Sequence, residues 1–216
     1  MPYGVIHWAR RYDLLIALAT LGRERALRER FLGLAHLEPG ESVLDVGCGT
    51  GTLAIAAKRH VGATGTVHGI DASPEMIARA RKKAKHAGAD VAFETALAES
   101  LPFPDGRFDV VLSTVMLHHL PRAVRQQSLR EMRRVLVPGG RALVVDFGKN
   151  TGNQRGLLAH LHRHGRVALG DLVSLQSEAG LSVVESGPVG IGTLVFVLGQ
   201  NVTSDARETR AAPSLS

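Results

Sequence analysis

The chain has 216 residues, 44% of them hydrophobic, enough to bury the core of one α/β domain. Its formal net charge of +6 leaves room for an anionic partner, but the basic residues are spread at helical spacing among acidic and apolar ones and read as solvated helix faces. Aromatic residues make up only 4%, which disfavours a base-stacking nucleic-acid surface. No apolar run reaches the roughly 18 residues of a membrane span, and no secretory signal is read at the N-terminus. The single cysteine, Cys48, has no partner for an internal disulfide, so a reducing cytoplasm is expected.

Between residues 8 and 36, Leu14, Leu15, Leu18, Leu21, Leu27, Phe31 and Leu34 recur at three- and four-residue steps. This predicts one or two amphipathic helices, broken at Gly22. Glu38-Pro39-Gly40-Glu41 turns into a first strand over 42–46. Three alternating glycines, Gly47, Gly49 and Gly51, follow it and lead into a helix over about 50–60. A second strand is expected over 66–70. Ser73 then caps a helix with Pro74 at its first position, ending near Gly88. Strands follow over 91–94 and, continuously apolar, over 108–113. A helix over 122–135 is expected to break at Pro138-Gly139-Gly140, before a fifth strand over 141–147. A helix over 171–179 precedes strands over 181–187 and 192–198, which have no helix between them and should form an antiparallel hairpin. Residues 200–216 are small and polar and are expected to be disordered. The expected fold is therefore α/β: a doubly wound, Rossmann-like, seven-stranded, mostly parallel sheet with a C-terminal antiparallel hairpin, in three α/β/α layers.

The glycines read G-x-G-x-G, not the G-x-G-x-x-G of dinucleotide binding. Asp45 stands two positions before the first of them. A carboxylate there repels a pyrophosphate and favours an ammonium group. Asp71 ends the second strand 20 residues after Gly51, the position from which a carboxylate takes both hydroxyls of a ribose. Glu99 is a third acidic residue, after the third strand. The ligand implied has a ribose, a purine and a cationic amino-acid end, without phosphates, and S-adenosylmethionine fits that description.

The motifs carry a resemblance. Val43-Leu44-Asp45-Val46-Gly47-Cys48-Gly49-Thr50-Gly51 resembles motif I of class I S-adenosylmethionine-dependent methyltransferases, and Gly69-Ile70-Asp71-Ala72-Ser73-Pro74-Glu75-Met76 resembles their second motif. The stretch from Ala98-Glu99-Ser100-Leu101-Pro102 to Phe108-Asp109-Val110-Val111 resembles the third. Leu117-His118-His119-Leu120 and Arg134-Val135-Leu136-Val137-Pro138-Gly139-Gly140-Arg141 complete the set. The match covers about residues 38–148 and is similar to the ubiquinone/menaquinone-biosynthesis branch. The resemblance implies that Gly47, Gly49 and Gly51 form the turn under the methionine and ribose, with Asp45 near the ammonium. It implies that Asp71 holds the ribose hydroxyls, that Ala72 and Met76 flank the adenine, and that Ala98 and Glu99 lie at its edge. Val115 faces the cofactor in this reading, and Tyr12 resembles an N-terminal aromatic that closes over it. One departure is Leu97-Ala98-Glu99, where the branch usually has Asp-Ala-Glu.

His118 and His119 follow the fourth strand at the carboxyl edge, where such sheets bind ligands, and are the candidate catalytic residues. Asp146 ends the fifth strand and is a further candidate to reach the pocket. No metal site is expected: of His160, His162 and His164, only the outer two share a helical face, and no cysteine or nearby carboxylate joins them. The reading is a cytoplasmic methyltransferase using S-adenosylmethionine and releasing S-adenosylhomocysteine, acting on a small apolar or lipid-like acceptor. Residues 1–37 form a helical lid in this reading, 38–199 the methyltransferase domain and 200–216 the tail. The protein is read as a monomer or homodimer, with peripheral membrane contact allowed by the basic and apolar residues of 148–170. An RNA or DNA methyltransferase is the alternative among enzymes, supported by charge alone, because Ser113-Thr114-Val115-Met116 stands where base-amino methylation uses an Asn/Asp-Pro-Pro-Tyr signature. A non-catalytic S-adenosylmethionine-binding regulatory protein is the alternative outside enzymes.

Overall fold

A computed structural model describes residues 24–148 and 167–202. Its elements are α1 (Glu24–Leu34), β1 (Ser42–Val46), α2 (Thr52–Val61), β2 (Thr66–Asp71), α3 (Pro74–Ala87), β3 (Ala92–Thr95) and β4 (Phe108–Thr114). After a 3-10 turn (Leu117–His119) come α4 (Arg122–Val135), β5 (Leu136–Phe147), α5 (Leu169–Glu178), β6 (Ser182–Pro188) and β7 (Leu194–Gln200). The described strands form one seven-stranded sheet in the order β3-β2-β1-β4-β5-β7-β6. β1 pairs in parallel with both β2 and β4, and β4 with β5. β7 is antiparallel to β5 and to β6, so the expected hairpin closes the sheet.

Two apolar layers sandwich the sheet. One joins Phe31 and Leu32 of α1 to Leu53 of α2 and Ile77 of α3; the other joins Leu129 and Met132 of α4 to Leu172 and Leu175 of α5. Side chains alternate along a strand, so β1 sends Val43 to the first layer and Leu44 and Val46 to the second. Asp45 is thereby turned toward the α2 side.

Local signals hold where they are chemically specific. Ser73 Oγ accepts the Met76 N–H at 3.4 Å with Pro74 at the first helical position, and Gly88 ends α3 in the left-handed conformation. The expected break at Pro138-Gly139-Gly140 is corrected. β5 begins at Leu136, which pairs with Phe108, and a register shift between Phe108 and Val110 absorbs the extra residues. Asn201 staples the irregular stretch: its carbonyl accepts the Gly139 N–H at 2.7 Å, its N–H reaches Gly140 O at 2.8 Å, and its Nδ2 reaches Leu136 O at 3.0 Å. Gln200, at the start of the expected tail, is thus the last residue of β7, and Asn201 is tied to β5 just beyond it. Among the described residues, no helix is long and apolar enough to cross a membrane.

The strand order reverses between β1 and β4. In an open α/β sheet, ligands bind at such a switch point, outside the carboxyl ends of the strands.

Candidate functional site

A cleft of about 860 Å³, part of it open to solvent, lies at that switch point. Gly47 and Gly49 after β1, Asp71, Ala72 and Met76 after β2, and Ala98 and Glu99 after β3 share its wall. Val115 and His119, both past β4, complete the expected residues that line it. Tyr12, His160, His162 and His164 lie outside the described residues. Among the described residues, no group of three or more His, Cys, Asp or Glu is arranged to hold a metal.

The glycine turn is anchored before any ligand arrives. The Gly47 and Cys48 N–H groups both donate to Ile70 O, at 2.9 and 2.8 Å. Asp71 holds the turn from the other side: its Oδ2 accepts the Gly49 N–H and its Oδ1 the Ser73 N–H, each at 2.9 Å. A carboxylate has about four lone-pair sites, so each oxygen keeps capacity for a ligand hydroxyl. Burial raises the Asp71 pKa, and those two backbone donors hold it back.

The three glycines do different work. A Cβ on Gly49 would meet no heavy atom within 4 Å, so the space it leaves opens to the cleft. A Cβ on Gly47 would lie 2.4 Å from Met116 Cγ. Gly51 does not line the cleft. A Cβ there would lie 2.6 Å from the Phe93 ring and 2.8 Å from Ala80, so this glycine lets α2 settle against α3 and β3. Gly51 also takes φ 75° at the start of α2.

Asp45 is 1% exposed, and neither of its oxygens has a hydrogen-bond partner. It stands behind the turn and is not on the cleft wall. Burial pushes its pKa up to about 7, with the Asp71 charge adding to the shift. The Ala54 N–H of α2 offsets part of this without completing a hydrogen bond. An unpaired buried carboxylate is costly, and a cationic group at the turn relieves that cost. Cys48 is buried between these carboxylates, which with its burial push its thiol up, so it is no nucleophile.

Sequence reasoning missed the other wall. Leu97 lines the cleft beside Ala98; Met116, Leu120 and Val124 give it an apolar side after β4. Val115 takes φ 54°, an outlier for a β-branched residue, with its N–H bound to Val145 O at 2.7 Å. Strain of this kind, about 1–3 kcal/mol, gathers where function over-determines the backbone. Also missed was a pair behind this wall: His118 Nδ1 and Asp146 Oδ1 are 2.7 Å apart. The only sequence signal for it is that His118 follows β4 and Asp146 ends the adjacent β5.

The set of groups fits S-adenosylmethionine: an orphaned buried carboxylate for an ammonium, a carboxylate with spare acceptor sites for a ribose, and open space over Gly49. Residues 43–140 match the methyltransferase domain family. The chain is 41% identical over 139 residues to the demethylmenaquinone methyltransferase of Thermus thermophilus, covering 64% of this chain and 62% of that protein. It is 38% identical over 141 residues to the ubiquinone/menaquinone biosynthesis C-methyltransferase of Laribacter hongkongensis, covering 65% and 57%. The chain thus spans less than two thirds of the length of these relatives. A methyltransferase structure from Aquifex aeolicus, described as S-adenosylmethionine-dependent, superposes with TM-score 0.70 at 24% identity, over 81% of this chain and 89% of that one. A [4+2]-cyclase superposes equally well, with TM-score 0.70 at 21% identity over 83% and 81%, so likeness at this level speaks for the fold alone. Residues 43–140 are thus similar to a methyltransferase domain, and the described fold is one that methyltransferases share.

Proposed function

We propose that this protein transfers a methyl group from S-adenosylmethionine to a small, apolar acceptor. The observation that carries this is the buried, partnerless Asp45 carboxylate behind a glycine turn whose other face opens on a cleft. In this reading Asp45 faces the ammonium, Asp71 takes the ribose hydroxyls, and Ala72, Met76, Ala98 and Glu99 surround the adenine. S-adenosylmethionine supplies a methyl group carried on a sulfonium. The protein's own part is to align the acceptor with that group and to exclude water. Met116, Leu120 and Val124 suit an apolar acceptor, and the demethylmenaquinone and ubiquinone/menaquinone methyltransferases among its relatives make quinone-type molecules the first to try.

The expected lid of residues 1–37 reaches the described residues only as α1, whose Phe31, Leu32 and Leu34 are buried in the core. Gly148 and Val167 form a bridge at the carboxyl end of β5. The lone buried thiol supports a reducing compartment.

The test is direct. The whole chain is incubated with labelled S-adenosylmethionine and, separately, reduced demethylmenaquinone, a simple phenol, and tRNA. Label in the quinol or phenol supports the reading. Label in tRNA alone overturns it.

A further inference from the structure

One arrangement beside the cleft has no part in holding the methyl donor. Asp146 is fully buried at the end of β5. A carboxylate so placed is costly unless donors meet it. They do. His118 N–H donates to Oδ2 at 2.8 Å, Phe147 N–H donates to Oδ1 at 2.8 Å, and His118 Nδ1 lies 2.7 Å from Oδ1. The two backbone donors hold the carboxylate as an acceptor, which places a proton on His118 Nδ1 and fixes the plane of that ring. Arg125 of α4 ties down the same turn, with Nε donating to Leu120 O at 2.7 Å and Nη2 to His118 O at 3.4 Å. The His119 ring packs on the His118 ring with centroids 3.8 Å apart. Of the two histidines, His119 is the one that lines the cleft, next to Leu120.

We propose that His119 takes a proton from the acceptor, and that Asp146 and His118 are positioning residues that hold its ring at the cleft. This rests on the methyltransferase reading and adds a substrate class. The acceptor is one that must shed a proton, such as a hydroxyl or an activated ring carbon on an apolar molecule. Thioethers, tertiary amines and metalloid lone pairs need no such group. In balance, the acceptor's bond to hydrogen breaks, and its electron pair forms the new bond to the methyl carbon. The carbon–sulfur bond breaks with its pair left on sulfur. The proton passes to a His119 ring nitrogen and on to solvent.

The surroundings suit that role. Burial lowers the His119 pKa, a charged His118 lowers it further, and Asp146 opposes both. The ring is therefore neutral, and able to accept, near neutral pH. Among the described residues, the other charged groups at this wall are Arg125 behind the turn, and Asp71 and Glu99 on the cleft wall.

Two readouts test this on the whole chain. In the ligand-free protein, imidazole NMR follows His119 against pH. Its titration is expected below the ordinary histidine range, moving up in His118→Ala and down in Asp146→Asn. Methyl transfer to reduced demethylmenaquinone is then measured across pH. The wild-type kcat is expected to fall on the acid side through the His119 titration. His119→Ala is expected to lose about 100-fold or more in kcat together with that acid limb, with KM for S-adenosylmethionine unchanged. His118→Asn keeps an N–H toward Asp146 and is expected to recover most of what His118→Ala loses. Calorimetric binding of S-adenosylmethionine reports that each variant is folded. A His119→Ala variant that keeps its kcat and acid limb overturns the proposal while leaving the transferase reading intact, as does a His119 titration indifferent to both substitutions. A wild-type protein that binds S-adenosylmethionine and methylates neither quinol nor phenol overturns the transferase reading, and the base with it.

Discussion

Asp45 is ionisable, buried and without a partner, so its charge state sets measurable quantities. Its ordinary value is 3.8 and its folded value about 7. Between those values the folded chain holds a proton that the unfolded chain has lost. Stability from this group is therefore greatest below about pH 4 and falls as pH rises toward 7, by on the order of 4 kcal/mol at ~1.4 kcal/mol per pH unit. Asp45→Asn removes that slope. Denaturant unfolding across this range is expected to show the variant losing less stability than the wild type between the two pH values. Equal slopes would mean that Asp45 has a partner in solution. The sequence singles the residue out by its place before the glycines. Its isolation is not legible there, because that depends on what α2 and the sheet leave uncovered around it.

At the level of elements, glycines alike in sequence part company. Gly49→Ala meets no atom, and its left-handed backbone costs about 1–2 kcal/mol. The variant is expected to fold, and to bind S-adenosylmethionine more weakly by at least tenfold because its methyl enters the cleft. Gly51→Ala adds a methyl against Phe93 and Ala80, so a packing cost of about 1–3 kcal/mol joins the same backbone strain. It is expected to lose stability first. Thermal unfolding and calorimetry on the two variants separate the roles. The sequence assigned all three glycines to the cofactor, because spacing alone does not say which one faces the neighbouring helix. The same limit explains β5. Pro138-Gly139-Gly140 reads as a break by local propensity, and the Asn201 contacts that carry the strand through it come from more than 60 residues away, up to 65 for Leu136. His118 and Asp146 are 28 residues apart, and only the β4–β5 register, with Thr114 opposite Val145, brings them together. By contrast, α4 matches its expected bounds, because its apolar positions recur at helical spacing and nothing distant competes.

For the whole molecule, the alternation of strands and helices was enough to give a doubly wound sheet, and hence a cleft at its switch point. The turn ordered by Ile70 and Asp71 means that a ligand binds a largely prebuilt site. S-adenosylmethionine at about 100 times its Kd is expected to stabilise the fold by about 2.7 kcal/mol. For a domain of this size, that raises Tm by roughly 5–10 °C. NAD is expected to leave Tm unchanged, since a pyrophosphate at the turn meets Asp71 on the cleft wall with Asp45 close behind it.

The central claim is that Asp45 pairs with a cationic ligand group, and proton-linked calorimetry tests it most directly. S-adenosylmethionine is titrated into the whole chain from about pH 5 to about pH 7, below the α-amino pKa of ~7.7–8.0, in buffers of different ionisation enthalpy. The prediction is binding at one site, tighter as pH rises, with a proton released on the acid side. Asp45→Asn should bind more weakly and release none. Binding that ignores pH, or a variant with the wild-type affinity and proton count, would contradict the account.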